Sequence, residues 1–452
     1  MPYAIDLFCG AGGCSEGLIQ AGFHILFSSD ISDMVEVTYR HRHEQLGLIQ
    51  GKNTWFERAD IKNLHGDFIK QKISELEIFR NKEVPEIDLI IGGPSCQGFS
   101  RAGRRNKEDP RNLLFGEYVR VINEIKPKYI VLENVEGFMD MQFLGYKGLD
   151  LYDLEGKAIE EGPIYPDGSV TPVILREELN RIGYATLEPR ILNAVDYGVP
   201  QRRNRVIFIG YRNNLPAPIY PKPTVVPEHQ LTLKDAIGDL VLDTELRGRV
   251  NPRLSNYQRE SREGRTPHFV TGKPIKCDRK QLQNLELPNS REAVLERFSL
   301  FNQGESSTML RKRIKKQGID ITGKNALIQD CCNKLGMKPD ELIALFRNGG
   351  ALDDSIDVLL TKKNVRQRWN SAEPSSTVVT IPDDYINPWE ARTFSVREMA
   401  RCQSFDDSFE FLGKRTTGGL KRRTEVPQCT QVGNAVPPLL AKAVALEIIR
   451  VL

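Results

Sequence analysis

Ile87-Asp88-Leu89-Ile90-Ile91-Gly92-Gly93-Pro94-Ser95-Cys96-Gln97-Gly98-Phe99-Ser100 is an apolar run that stops at two glycines and opens into a proline-containing loop. A short apolar run bounded this way predicts a buried parallel strand, because a strand covered on both faces is apolar throughout. Residues 1–210 repeat the pattern. Candidate strands at Ala4–Phe8, Phe23–Ser29, Tyr129–Glu133, Thr186–Leu192 and Arg205–Ile209 alternate with helix-like stretches near 14–21, 32–42, 66–79, 112–125 and 173–182. The alternation predicts an α/β fold with a doubly wound, mainly parallel sheet. In such sheets ligands sit at the carboxyl ends of the strands. Cys96 is therefore expected at that edge, presented as a nucleophile must be rather than buried as a packing cysteine is.

The chain has 452 residues, 40% hydrophobic and 27% charged, which suits a soluble globular protein of more than one domain. No run of about 18 apolar residues and no signal-peptide pattern is seen, so a cytoplasmic protein without a membrane span is expected. Eight cysteines lack framework spacing, and six histidines form no ligand pattern with them. Neither structural disulfides nor a metal site is expected. The segment Gly145–Gly168, rich in glycine and acidic residues, reads as a surface excursion.

Charge is unevenly spread. Residues 211–375 carry 28 Lys and Arg against 20 Asp and Glu, leaving the rest of the chain slightly acidic. The surplus includes Arg311-Lys312-Arg313-Ile314-Lys315-Lys316 and Lys362, Lys363, Arg366 and Arg368. A basic middle segment between acidic flanks suggests a polyanion-binding domain set into an enzyme domain. Prolines 216, 218, 221 and 223 mark the linker into it. From about 216 to 390 the pattern predicts short strands, loops and one amphipathic helix, Leu327–Leu345. Regular periodicity returns at Ser395–Cys402 and after Pro437-Pro438.

Asp6-Leu7-Phe8-Cys9-Gly10-Ala11-Gly12-Gly13-Cys14-Ser15-Glu16-Gly17 follows the first strand and opens a helix. Its glycines allow a tight turn and close approach of a ligand to the backbone. Asp30 ends the second strand, where an acidic residue can hold ribose hydroxyls. Asp60, before Ile61, could bond an adenine amino group. Each aspartate could equally cap a helix. Together they point to an adenosine-containing cofactor, and the glycine spacing suits S-adenosylmethionine better than a dinucleotide. Glu133-Asn134-Val135 ends a strand at the same edge as Cys96. A thiolate there can add to a flat ring while the carboxyl group bonds a ring nitrogen and an exocyclic amine. In Gln201-Arg202-Arg203-Asn204-Arg205, alternation would point Arg203 and Arg205 to one face, where they could hold a carbonyl or a phosphate.

In this order the motifs resemble those of the cytosine-C5 DNA methyltransferase family, bacterial type. Arg111–Ile125, Val195–Gly210, Arg392–Phe405 and Gln431-Val432-Gly433-Asn434-Ala435-Val436-Pro437-Pro438 complete the series. The resemblance implies the S-adenosylmethionine-dependent methyltransferase fold over 1–215 and 391–452, with a second, smaller target recognition domain at 216–390. It implies Cys96 as nucleophile toward C6 of a flipped cytosine, Glu133 at N3 and the 4-amino group, and Arg203 and Arg205 steadying the base and the Cys96 loop. S-adenosylmethionine would contact Phe8, Cys9, Gly10, Ala11, Gly12, Gly13, Asp30, Ile31, Asp60, Ile61, Pro94, Leu114, Asn434, Ala435 and Val436. Duplex DNA would meet Gln97, Ser100, Arg101, Arg104 and Arg105. A monomer is expected, and the single-chain layout leaves room for a functionally paired restriction endonuclease. Two positions depart from the family: Ser95 and Asp406 stand where proline is usual. Two alternatives remain, a tRNA cytosine-C5 methyltransferase of the same architecture and a catalytically silent nucleic-acid-binding module. The long basic middle favours duplex DNA, and the intact Cys96, Glu133, Arg203 and Arg205 favour an enzyme.

Overall fold

The continuous apolar runs form the centre of one twisted sheet. The computed structural model describes residues 1–94, 113–152, 158–363, 365–381, 384–419, 421 and 424–452. The main sheet is built from β1 (Tyr3–Leu7), β2 (His24–Asp30), β3 (Trp55–Arg58), β4 (Leu89–Gly92), β5 (Tyr129–Asn134), β6 (Tyr184–Thr186), β7 (Arg190–Asn193) and β8 (Asn204–Arg212). The order is β6-β8-β5-β4-β1-β2-β3, with β7 also pairing β8. From β5 to β3 every pair is parallel, and β8 runs antiparallel to β5, β6 and β7. The chain winds outward from β1 through β2 to β3, then returns to place β4 on the other side of β1. That reversal opens a crevice at the carboxyl ends of β1 and β4, where doubly wound sheets bind ligands. The antiparallel β8 brings its amino end, and Arg205, to the same edge.

Helices α1 (Gly13–Ala21), α2 (Asp33–Gln45), α3 (Gly66–Ser74), α4 (Leu114–Ile125) and α5 (Thr171–Arg181) cover the sheet. The remaining helices are α6 (Leu233–Ile237), α7 (Thr244–Val250), α8 (Asn256–Glu263), α9 (Glu292–Phe298), α10 (Ser307–Gln317), α11 (Asn325–Leu335), α12 (Pro339–Arg347), α13 (Asp353–Leu360), α14 (Val396–Cys402), α15 (Gln428–Asn434) and α16 (Pro438–Ile449). The segment Gln428–Ile449 is long and apolar enough to cross a membrane, but it is mostly buried and is interrupted at Ala435–Pro437. Its second half lies against α1 as a core helix. Seven cysteines among the described residues are buried, with no disulfide between them.

Several expectations need correction. Thr186–Leu192 is two strands, separated at Leu187–Pro189, where proline lacks the N–H that a ladder needs. The helix expected over 66–79 stops at Ser74 and resumes as a 3₁₀ turn at Glu77–Phe79. The excursion after Gly145 folds into two small antiparallel pairs, and Glu178 of α5 anchors it by accepting from Leu149 N–H and the Tyr165 hydroxyl, each at 2.7 Å. The middle region is chiefly helical, not mixed strand. Leu327–Leu345 is two helices, α11 and α12, because Gly336 turns left-handed and Pro339 starts a new first turn. Helices α9 to α13 share a core from Phe298 to Leu360. Leu233, Tyr257, Trp369 and Val378 instead pack with Phe394–Phe411, Val432 and Ala11.

Candidate active site

β4 delivers its loop directly onto Glu133. A Cβ on Gly93 would stand 3.0 Å from Glu133 Oε2, so a side chain there would press on the carboxyl group as the chain leaves the strand. Asn134 Nδ2 then donates to Pro94 O at 3.0 Å, just before Cys96 in the chain. Cys96, with Gln97, Ser100, Arg101, Arg104 and Arg105, lies outside the described residues.

Glu133 and Arg205 meet across β5 and β8. Arg205 Nε is 2.6 Å from Glu133 Oε1, and both side chains are about nine-tenths buried. Burial pushes the Glu133 carboxyl above the usual carboxylate range, against the pull of Arg205 and then Arg203. A cavity of about 410 Å³ opens beside them, lined by Val135, Glu136, Gly137, Asn193, Arg202, Asn204, Arg205 and Thr377. A carboxyl group biased toward its acid form can donate one hydrogen bond and accept another, which suits a ring nitrogen next to an amino group.

Arg203 also serves the fold. Its guanidinium is buried and donates to Val378 O at 3.0 Å and Gly433 O at 2.7 Å. It binds the middle region and α15 to the sheet, and its charge acts on Glu133. Gln201 acts alongside it, accepting from Val378 N and donating to Cys402 O and Gln403 Oε1. The segment Ser375–Val378 therefore docks on Pro200–Arg203. The sequence alone assigns that segment to a separate domain, and the short polar run Ser375-Ser376-Thr377 is its one outward sign.

At the other end of the crevice, Asp30 holds the glycine loop. Its carboxylate accepts from Gly10 N–H at 3.1 Å and Ser32 N–H at 2.9 Å, and burial raises its pKa. A Cβ on Gly10 would meet nothing within 4 Å, so open space faces the backbone there. Ile31 beside it is 67% exposed, and Asn434 is also exposed. An uncovered backbone, a fixed carboxylate and an exposed apolar side chain fit an adenosyl group. Phe8 is half-buried with φ of 57°, and Leu114 is half-buried at the start of α4.

Other expected cofactor residues have structural contacts as well. Asp60 caps the 3₁₀ turn Ile61–Asn63, accepting from Lys62 N–H, and Ile61 is buried. Cys9 is buried with Tyr39 and Phe56, and burial pushes its thiol well up. Ala11 and Ala435 are buried in one shared core, while Gly12 caps α1 and packs on the Tyr39 ring. Gly13 faces Val436 rather than open space. Sequence reasoning misses the buried chain beneath the loop, in which Ser15 Oγ donates to Asp6 at 2.6 Å and Tyr39 links Ser15 to Ser28.

The family model described as C-5 cytosine-specific DNA methylase matches residues 3–147 and 166–450. The gap falls on the excursion that Glu178 anchors. The Type II methyltransferase M.DdeI of Desulfomicrobium norvegicum is 30% identical over 98% of this chain and 88% of its own length. M.XorII of Xanthomonas oryzae pv. oryzae, also a Type II methyltransferase, is 30% identical over 100% of this chain and 85% of its own. A crystal structure described as a DNA modification methyltransferase encoded within an E. coli prophage superposes with a TM-score of 0.61 at 20% identity, covering 100% and 99% of the two chains.

Proposed function

Because the chain belongs to the C-5 cytosine-specific DNA methylase family, and is a DNA (cytosine-5-)-methyltransferase, we propose that it works through a covalent Cys96–C6 adduct steered by Glu133 and Arg205. The observation that carries this reading is the Arg205–Glu133 pair at 2.6 Å, set against the Gly93–Pro94 start of the Cys96 loop. The target cytosine must leave the duplex stack, at a cost of a few kcal/mol, because C6 is closed inside it. The cavity bordered by Arg205 and Val135 would receive it.

There the acid form of Glu133 donates to N3 and accepts from the 4-amino group. This draws electrons from the ring and opens C6 to attack. The Cys96 thiolate forms the S–C6 bond, and the electron pair displaced from C5–C6 makes C5 nucleophilic. The family depends on S-adenosylmethionine, which when bound supplies the methyl group that C5 takes. Water then removes the C5 proton, the S–C6 bond breaks, and the thiolate leaves 5-methylcytosine. In this chain Gly10, Asp30, Ile31 and Asn434 would hold the cofactor, with Phe8, Pro94, Leu114 and Val436 at its borders. Gln97, Ser100, Arg101, Arg104 and Arg105 would meet the DNA.

Residues 1–215 and 391–452 would form the catalytic part, and 216–390 the target recognition domain. On this reading the enzyme acts as a cytoplasmic monomer on duplex DNA, paired in function with a restriction endonuclease. Incubation with labelled S-adenosylmethionine and either duplex DNA or tRNA tests it. Label should enter DNA and vanish with Cys96→Ala; label confined to tRNA, or full transfer by that variant, overturns the reading. Bisulfite sequencing of a methylated plasmid then locates the recognised site.

A further inference from the structure

The basic residues of the runs 311–316 and 362–368 divide by type once folded. Their four arginines turn inward. Arg311 pairs with Asp357 at 2.5 Å, and Arg313 with Glu305 at 2.8 Å. Arg366 is buried over the Phe298 ring, and Arg368 donates to Phe301 O and Asn387 O. These four brace the helical cluster. The lysines stay outside. Lys312, Lys316 and Lys362 are exposed and make no ion pair or hydrogen bond among the described residues, while Lys315 is held by Asp353 at 2.7 Å. Met309, Lys312 and Lys316 stand at i, i+3 and i+7 of α10, on one stripe, with Met309 56% exposed. Leu310 and Ile314 bury the opposite face. Ser307 donates to Arg366 O and Lys363 O, which draws the segment carrying Lys362 alongside the first turn.

This surface is tied to the catalytic cavity. Ser306, the α10 cap, pairs with Gln367, and from there the chain runs to Thr377 in the cavity wall. On the way Ser371 Oγ donates to Gln303 at 2.9 Å, Glu373 pairs with Arg202 at 2.9 Å, and Thr377 donates to Arg202 O at 2.9 Å.

We propose that Met309, Lys312 and Lys316 of α10, together with Lys362, form the duplex-contacting surface that holds DNA while the cavity receives the base. The assignment rests on the enzyme being a DNA methyltransferase. Unpaired lysines are mobile point charges suited to phosphates, which position a duplex without reading it. An exposed methionine among them is apolar and adaptable, suited to a thymine methyl or a sugar.

The test is binding of a fluorescent duplex bearing the site located by bisulfite sequencing, titrated with salt. The triple variant Lys312→Ala/Lys316→Ala/Lys362→Ala should bind roughly tenfold more weakly or worse. Its slope of log affinity against log salt should flatten by about 0.9 for each phosphate that the variant no longer neutralises. Thermal melting and S-adenosylmethionine affinity should stay at the wild-type level. Met309→Ala should keep the slope and lose preference for the site over a scrambled duplex. Lys70→Ala, on the exposed side of α3, should change neither. Unchanged affinity and slope in the folded triple variant overturn the surface while DNA methylation stands. Absence of methyl transfer to any DNA by the wild type would instead overturn the enzymatic reading, and the surface with it.

Discussion

The carbonyl oxygen of Val436 lies 2.1 Å from where a Cβ on Gly13 would stand, so the first turn of α1 and the segment before α16 meet backbone to backbone. Two stretches over 400 residues apart in sequence thus form one wall of the proposed cofactor site. Gly13→Ala must push them apart. Overpacking of this kind costs about 1–3 kcal/mol, and cofactor affinity should fall with it. Unfolding in urea and calorimetric titration with S-adenosylmethionine check both. Wild-type stability in Gly13→Ala would show that the contact yields freely.

Arg205 is the nearest positive charge to Glu133, so Arg205→Ala should raise the Glu133 carboxyl further. If the acid form donates to N3, activity is lost as pH rises through the Glu133 pKa. In the variant that alkaline limb should move to higher pH, while kcat/KM drops by about 100-fold because the carboxyl group loses its orientation. Arg205→Lys should recover part of the rate. A pH profile of kcat/KM whose alkaline limb stays in place would remove Glu133 from the proton inventory.

How much of this is legible in the sequence follows from where each constraint lives. Leu89–Gly92 and Tyr129–Asn134 announce themselves because doubly covered parallel strands leave unbroken apolar runs. Trp55–Arg58 does not, being an edge strand of mixed polarity. The apolar period of α11 continues into α12 across Gly336–Lys338, so periodicity alone joins two helices. The Glu133–Arg205 meeting is readable from motif order at neighbouring strand ends. The destination of Arg203 is not, since its partners are main-chain carbonyls 175 and 230 residues away, and carbonyls carry no sequence signal.

The Asp6 carboxyl is enclosed beneath the glycine loop. Burial raises its pKa from 3.8 to about 7, with the Ser15 hydroxyl pulling down and Asp30 pushing up. Cys9, Cys14, Tyr39 and Tyr118 also face it. A pKa raised by folding favours the folded state fully below about pH 4, and that contribution is lost as pH rises through about 7. That rise corresponds to a swing on the order of 4 kcal/mol. Asp6→Asn, which cannot titrate, should therefore gain on the wild type by that order between pH 4 and 8. Parallel stability curves for the two proteins, measured by urea unfolding, would contradict it.

Asp406, one of the two departures from the family motif, has buried partners in the fold. Its carboxylate accepts from the main-chain N–H of Arg265 at 2.6 Å and of Thr266 at 3.1 Å, and pairs with the Arg265 guanidinium at 3.1 Å. Arg42 lies 4.0 Å away and is taken chiefly by Glu16, which also receives the Thr266 hydroxyl. A buried knot thereby fastens the 265–266 loop of the middle region to α1 and α2. Asp406→Pro leaves two N–H groups without their acceptor and Arg265 with only the more distant, exposed Glu260 as charge partner, an expected loss of about 3–5 kcal/mol. Asp406→Asn keeps an acceptor and gives up only the charge, so it should fall between wild type and proline, with Asp406→Ala nearer to proline. Urea unfolding of the three variants checks the ranking. Equal stability of Asp406→Asn and Asp406→Ala would mean that the main-chain bonds at Arg265 and Thr266 contribute nothing, and that charge alone holds the loop.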